Sequence, residues 1–452
     1  MRLSLFLAAS LFVVGLGAVA GGTLGPIALQ SQDATGHIRT LTTTGQLDLT
    51  NPFFADLGTN GRRCSTCHLP DQGWTITPAG VQVRFVDTDG LDPIFRNNDG
   101  SNCQDADIST TENRRAAFGL LLNRGLIRIG LDVPADAEFD ILSVDDPYNC
   151  PASFTSPLAS ASMYRRPLPS TNLPFITAIM WDGREPSLAH QANDATMGHA
   201  QGAPLTPDDQ QAIVAFETTL STAQADDDDA GSLNAAGGQG GPRALSQQPF
   251  FVGINDPVGL NPNGEPFDPR AFTIFNAWAT LNGSGSQVAA RRAIAHGQEI
   301  FNARTFTISG VAGLNGQTFA SGVTVPASFT GTCTICHDSP NVGNHSVKAP
   351  LNIGLTDASR RTADMPLYTL RNKATHARVL TTDPGRAMVT GKWADIGKFK
   401  GPILRGLAAR APYFHNGFAA TLEDAIEFYD QRFAIRLTAL EKADLAAFLR
   451  SL

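Results

Sequence analysis

Two stretches of the chain, one central and one C-terminal, carry the same pattern of polar and apolar positions. Leu205-Thr206-Pro207-Asp208-Asp209 runs on to Phe216 and Leu220, and Leu437-Thr438-Ala439-Leu440-Glu441 runs on to Phe448 and Leu452. In each, a Thr stands at a helix N-cap with an acidic residue three positions on, which satisfies free backbone N–H groups of the first turn. Apolar residues then recur at helical spacing: Ala212, Ile213, Phe216 and Leu220 in the first, Leu445, Phe448, Leu449 and Leu452 in the second. The repeat predicts two equivalent helices, each closing a domain with one apolar face. Residues 306–332 are rich in Gly, Thr and Val and predict a small β-hairpin insertion. At the N-terminus Arg2 precedes an apolar run from Leu3 to Val19, and Ala18-Val19-Ala20 offers a signal-peptidase site. An uncleaved anchor is the alternative to an export signal, and no other stretch is long and apolar enough to span a bilayer.

These signals divide the chain into a signal peptide at 1–20, an N-terminal domain at 21–224, a linker at 225–243 and a C-terminal domain at 244–452. The linker contains Asp226-Asp227-Asp228-Asp229 followed by Gly- and Ala-rich sequence. Such a composition predicts a flexible, solvated connection in preference to a calcium site. With 43 Gly and 28 Pro over 452 residues, a loop-rich protein with short helices is expected. The 34 basic residues against 42 acidic ones leave a net charge of −8, with no basic cluster larger than adjacent arginine pairs such as Arg62-Arg63 and Arg165-Arg166. Nucleic acid is therefore not an expected partner, and no membrane contact is expected beyond the signal segment.

The chemistry concentrates at Cys64-Ser65-Thr66-Cys67-His68 and Cys333-Thr334-Ile335-Cys336-His337. Both are C-x-x-C-H, the pentapeptide to which haem is joined by two thioethers, with the adjoining His as axial iron ligand. Two covalently bound haem c groups follow, on Cys64, Cys67, Cys333 and Cys336, with His68 and His337 on iron. A four-thiolate zinc site or two redox-active cysteine pairs would use the same cysteines without needing a His after each pair. Haem of this type is attached outside the bacterial cytoplasm, so the export signal and the motifs agree on a periplasmic or secreted protein. Of six cysteines, Cys103 and Cys150 remain. In an oxidising compartment a disulfide is their default state, two free buried thiols being the other.

Gly397-Lys398-Phe399-Lys400-Gly401-Pro402, Ala411-Pro412-Tyr413-Phe414-His415-Asn416-Gly417 and Met180-Trp181-Asp182-Gly183-Arg184, together with both haem motifs, closely resemble the bacterial di-haem cytochrome c peroxidase family, which includes MauG. The resemblance spans about residues 45 to 452, residues 82–160 fitting it poorly. It implies a mostly α fold of two cytochrome c-like haem domains, a peroxide-reactive haem at His68 and an electron-relay haem at His337. It also implies Trp181 as a relay between them and Gln191 as a hydrogen-bonding residue over the reactive iron. Counting fourteen residues from His415 gives Tyr429 as second ligand of the relay haem, with Met388 and Met365 as fallbacks. A phenolate there stabilises ferric iron and lowers the potential relative to Met.

Three departures from the family pattern stand out. After His68 the next histidine is His190, and Arg84 occupies the position nearest the His that caps the resting reactive haem in many members, so an open iron is expected. Where the family has an acid/base Glu, this chain has Gln201, whose amide cannot exchange a proton. His199, two residues earlier, is the candidate substitute, beside the bland reading of a surface histidine, and His190 is undecided. The family's interdomain calcium corresponds to the carbonyls of Arg410 and Pro412 and to an Asn whose place is taken by Arg166. The resemblance thus implies hydrogen peroxide as substrate, with an electron-donor protein or protein substrate as partner. A dioxygen-using oxygenase resembling the rubber oxygenases and a non-catalytic electron carrier are the alternatives.

Overall fold

The computed structural model describes residues 28–45, 47–151 and 156–452. The expected signal peptide lies outside the described residues. Among the described residues no helix is long and apolar enough to cross a membrane.

The two helices marked by the sequence repeat are present, as Pro207–Thr218 and Ala439–Arg450. Thr206 Oγ1 accepts from Asp209 N, and Thr438 and Glu441 form a full capping box. Ile213 and Phe216 bury against Phe53 and Trp74, while Leu445, Phe448, Leu449 and Leu452 enter a second core with Phe272, Phe275, Trp278 and Phe301. The Ala439–Arg450 helix packs on the helix Ser286–Ala303, where Gly297 admits the Asp444 carbonyl: a Cβ there would lie 2.0 Å from that oxygen.

The expectation of a mostly α fold is overturned. The chain is 30% helix and 18% strand, and the strands form four sheets among the described residues. The largest runs Ala28–Asp33, Gly36–Thr42, Leu220–Asp227, Gly231–Ser232, all antiparallel. A second joins Arg378–Thr381 and Leu367–Asn372 to Phe139–Asp145. Ile127–Asp132 pairs with Ser160–Arg165, and Phe306–Ser309 with Ser328–Gly331 inside the 306–332 segment. Phe139-Asp140-Ile141 and Ile127-Arg128-Ile129 alternate apolar and polar residues, the period of a half-buried strand, but their partners stand far away in sequence. Leu370 pairs with Ile141, a closure invisible to any local pattern.

The linker expectation is corrected as well. Leu220–Asp227 is the third strand of the largest sheet, and Asp227 Oδ1 accepts from the amides of Asp229 (3.0 Å) and Ala230 (2.7 Å) to turn the chain into Gly231–Ser232. Ala230 and Leu233 then bury completely in the core around Phe275 and Trp278. The Asp run is a hairpin turn: its side chains cap its own amides. Cys103 and Cys150 are joined in a disulfide, and the four motif cysteines are free.

Candidate active site

Each C-x-x-C-H begins a short 3₁₀ turn, Cys64–Thr66 and Cys333–Ile335. The amides of Cys67 and His68 donate to Cys64 O at 3.2 and 3.1 Å, and those of Cys336 and His337 to Cys333 O at 3.3 and 3.2 Å. His68 Nδ1 lies 2.9 Å from Trp74 O and His337 Nδ1 lies 2.7 Å from Gly343 O. A carbonyl can only accept, so Nδ1 carries the proton and Nε2 is left as the ligating nitrogen, the arrangement expected of a metal-bound imidazole. Trp74 and Gly343 both adopt left-handed backbone (φ 60° and 75°). Burial pushes His68 down to about 4 and also lowers His337, keeping both rings neutral at pH 7.

Burial also pushes the thiols of Cys64, Cys333 and Cys336 up to about 12, and raises Cys67. Redox-active pairs need the opposite shift, toward thiolate. Among the described residues no cluster of metal-binding side chains includes any of the four, which removes the four-thiolate zinc reading. Cys67 and His68 instead line one cavity, and Cys333, Cys336 and His337 line a second.

In the first cavity, Leu188, Gln191, Ala195 and His199 present one face of the helix Leu188–His199 beside His68. His199 Nδ1 sits 2.5 Å from Asp99 Oδ2, and Asp99 is itself paired with Arg62. Burial works against the Asp99 anion, but hydrogen bonds and charges from His199 and Arg62 hold it below the usual carboxylate range. Arg62 is fixed by the carbonyls of Pro93 (2.8 Å), Ile94 (2.7 Å) and His199 (3.2 Å). The expectation that Gln201 faces the iron fails. The helix ends at His199, Gln201 takes a left-handed conformation (φ 55°), and its exposed side chain lies off the cavity near Asn60. His190 also lies off the cavity, with Nδ1 2.6 Å from Glu185 and a half-exposed side chain. Arg84 is occupied with Thr66 O (2.6 Å) and Asp92.

Sequence reasoning missed two residues of this cavity. Asp99 belongs to a stretch that fits the family poorly and carries no local signal. Glu217 is 4% exposed, with one oxygen lacking a partner, and burial pushes it up to about 7. Its signal was available: a carboxylate four residues after Ile213, on the apolar face of its helix.

Trp181 lines both cavities, as do Lys400 and Pro402. Its Nε1 donates to Arg166 O at 2.8 Å and its carbonyl accepts from Lys400 N at 2.9 Å. The next residue, Asp182, is fully buried and paired with Arg165 (2.6 Å) and Arg184 (3.1 Å). Arg165 also grips Asp383 through two bonds of 2.7 and 2.9 Å, tying the Trp181 turn to the C-terminal half.

In the second cavity Tyr429, on the helix Leu422–Phe433, joins His337 among the lining residues. Burial raises its phenol well above the usual range, so it ionises only against a cation such as iron. Met388 and Met365 pack in separate apolar clusters away from this cavity. His415, used in the sequence reading only as a landmark, is fully buried, stacked on Phe399 at 4.0 Å and 6.2 Å from the Trp181 ring.

Calcium does not fit. The Arg166 guanidinium donates to Arg410 O (3.1 Å), Ile76 O (2.8 Å) and Arg124 O (2.8 Å). A fixed cation thus satisfies the carbonyl expected to bind the ion, and although burial pushes Arg166 down to about 9, it stays protonated at neutral pH.

Two C-x-x-C-H turns whose imidazoles are oriented by carbonyls, each reaching the wall of a cavity, are an arrangement suited to haem c. Among curated proteins the chain is similar to cytochrome-c peroxidase IdrP1 of Pseudomonas sp. (strain SCT), 31% identical over 140 residues, which is 26% of this chain and 36% of the relative. It is also similar to IdrP2 of Denitromonas iodatirespirans, 31% over 136 residues covering 27% of this chain and 37% of the relative. Cytochrome c551 peroxidase of Nitrosomonas europaea matches at 37% over 95 residues, 21% of this chain and 22% of its own length. The chain therefore spans about a third or less of the length of these relatives. No family model matches. The solved structure of a MauG-like protein associated with microbial copper homeostasis aligns over 89% of this chain and 86% of its own, at 16% identity and a TM-score of 0.39, and carries no weight here. Over these matched stretches the chain is similar to bacterial cytochrome c peroxidases.

Proposed function

We propose that this chain is an exported di-haem c-type oxidoreductase that reacts with hydrogen peroxide in the first cavity and exchanges electrons through the second. The observation that carries the reading is the pairing of His199 with Asp99 on the wall of the cavity that holds His68. Haem held by Cys64, Cys67 and His68 would supply the redox-active iron. Asp99 accepts Nδ1–H of His199 and leaves Nε2 as the base. His199 Nε2 can then take a proton from hydrogen peroxide and return it to the departing oxygen, the duty for which Gln201 is chemically unfit. Gln191, about two turns before His199 on the same helix, offers amide donors to a bound oxygen. Trp181, common to both walls, is the side chain through which electrons cross between the cavities, and Asp182 and Arg165 hold its turn in place.

Haem on Cys333 and Cys336 would be bound by His337 and Tyr429, the latter the only one of the three candidate ligands on that cavity wall. The disulfide supports an oxidising compartment. The His199 pair weakens the dioxygen-using alternative, which rested on a missing acid/base group.

The test is the ferric protein examined by absorption and EPR before and after peroxide, with covalent haem counted as the pyridine haemochrome. Two c-type haems per chain are expected, one of them high-spin and altered by peroxide. Two low-spin, peroxide-inert haems would mean that His199 itself binds iron and that the protein only carries electrons. Tyr429→Phe is expected to change the low-spin EPR signal and raise the potential of that haem while leaving haem content at two. An unchanged signal would assign the ligand elsewhere.

A further inference from the structure

Asp256, Asp338 and His345 are 2%, 0% and 5% exposed, and their ligand atoms all lie within 4.8 Å of one another. Each carboxylate has one oxygen engaged: Asp338 Oδ1 accepts from Ser346 N at 2.6 Å, and Asp256 Oδ2 from Val258 N and Leu260 N at 3.1 and 2.8 Å. The other oxygens, Asp338 Oδ2 and Asp256 Oδ1, have no hydrogen-bond partner, and neither has His345 Nδ1. His345 Nδ1 is 3.2 Å from Asp338 Oδ2, without the alignment of a hydrogen bond. Buried polar atoms left in this state are costly, and native interiors hold few of them. Three converging on one point mark a place built for something that accepts lone pairs.

Haem does not account for them. The His345 ring lines the second cavity, but Asp256 and Asp338 do not. The two loops are held together independently of any ligand, by Asn255 Nδ2 donating to Asp338 O (3.0 Å) and Gly253 N to Ser346 O (2.8 Å). These bonds place the three donors before an ion arrives.

We propose that Asp256, Asp338 and His345 bind a divalent first-row cation, zinc foremost, in a structural site behind the second haem motif. Two carboxylates and one imidazole form a donor set that zinc accepts, and their two negative charges balance its two positive ones. Zinc bonds of about 2.0–2.2 Å in a tetrahedron separate neighbouring donors by about 3.4 Å, close to the 3.2 Å between His345 Nδ1 and Asp338 Oδ2. The ion would tie the loop that follows His337 to the Asn255–Asp256 loop, bracing the wall of the second cavity.

The experiment uses the full, haem-loaded chain, equilibrated with zinc chloride, dialysed, and analysed for zinc and iron per chain by mass spectrometry. One tightly held zinc is expected in the wild type, lost in Asp256→Asn and in His345→Gln, and kept in Glu185→Gln, which alters the half-exposed Glu185–His190–Asp194 group. Zinc-edge X-ray absorption of the wild type should show nitrogen and oxygen neighbours only, at about 2.0–2.2 Å, and no sulfur near 2.3 Å. That readout stands even if the variants fail to assemble, and it excludes zinc taken up by cysteines that lack haem. No retained zinc, a sulfur shell, or retention untouched by both ligand variants overturns the site.

Discussion

His199→Ala is expected to lower peroxide turnover with a small electron donor by about 10²–10⁴-fold, the usual worth of general acid/base assistance. That corresponds to roughly 3–5 kcal/mol of barrier. Haem content should not change, because His199 lies neither in a C-x-x-C-H turn nor against the His68 anchor at Trp74 O. Asp99→Asn should lose activity as well: the amide can present N–H to Nδ1 and trap the tautomer in which Nε2 is protonated and no longer a base. Gln201→Glu is the contrasting variant. With its side chain exposed and off the cavity, a carboxylate there should change turnover less than about twofold, well below the 10²-fold floor of true acid/base assistance. A rise of tenfold or more in Gln201→Glu, together with a silent His199→Ala, would show that residue 201 swings over the iron and that the proton route proposed here is wrong.

Arg165→Met is expected to destabilise the fold by about 3–5 kcal/mol, the cost of removing one partner from a buried ion cluster. The Arg165 side chain is inaccessible, and its loss would leave Asp383, 2% exposed, without either of its two short bonds from the guanidinium. Asp182 would keep Arg184 alone. The measurement is the urea midpoint at constant m-value, with haem content monitored. Arg165→Lys keeps the charge but not the planar fork and should fall in between. Removing the pair together, as Arg165→Met with Asp383→Leu, should recover much of the loss, because a buried ion pair is often no better than an apolar one of similar volume. A midpoint shift worth less than about 1 kcal/mol in the single variant, the value of a surface pair, would mean that water reaches these groups and that the cluster does not fix the Trp181 turn.

The parts of this protein that were legible in the chain are those whose chemistry closes within a few residues. Cys64 to His68 and Cys333 to His337 form their turns from their own amides and carbonyls. Thr206 with Asp209 and Thr438 with Glu441 cap helices over three positions, and the apolar faces that follow are read by a period of 3.6. Tyr429 and Trp181 were placed by motif offsets, and both stand on the cavity walls.

What the tertiary structure decided lies in contacts between residues far apart. Ile141 finds Leu370 across the chain, and so strands appear where a mostly α fold was expected. Asp226 and Asp227 pair with His37 and Gly36 far back along the chain, so an acidic run that composition marks as solvated becomes part of a sheet. His199 differs from a surface histidine only because Asp99, a hundred residues earlier, meets its Nδ1. Arg166 takes the place of a calcium ion only because Ile76, Arg124 and Arg410 bring their carbonyls to one point. The physical reason is common to all four. Local hydrogen bonds and periodic faces are set by spacing along the chain, whereas a proton route or a buried charge depends on which distant groups the collapsed core brings within about 3 Å of each other.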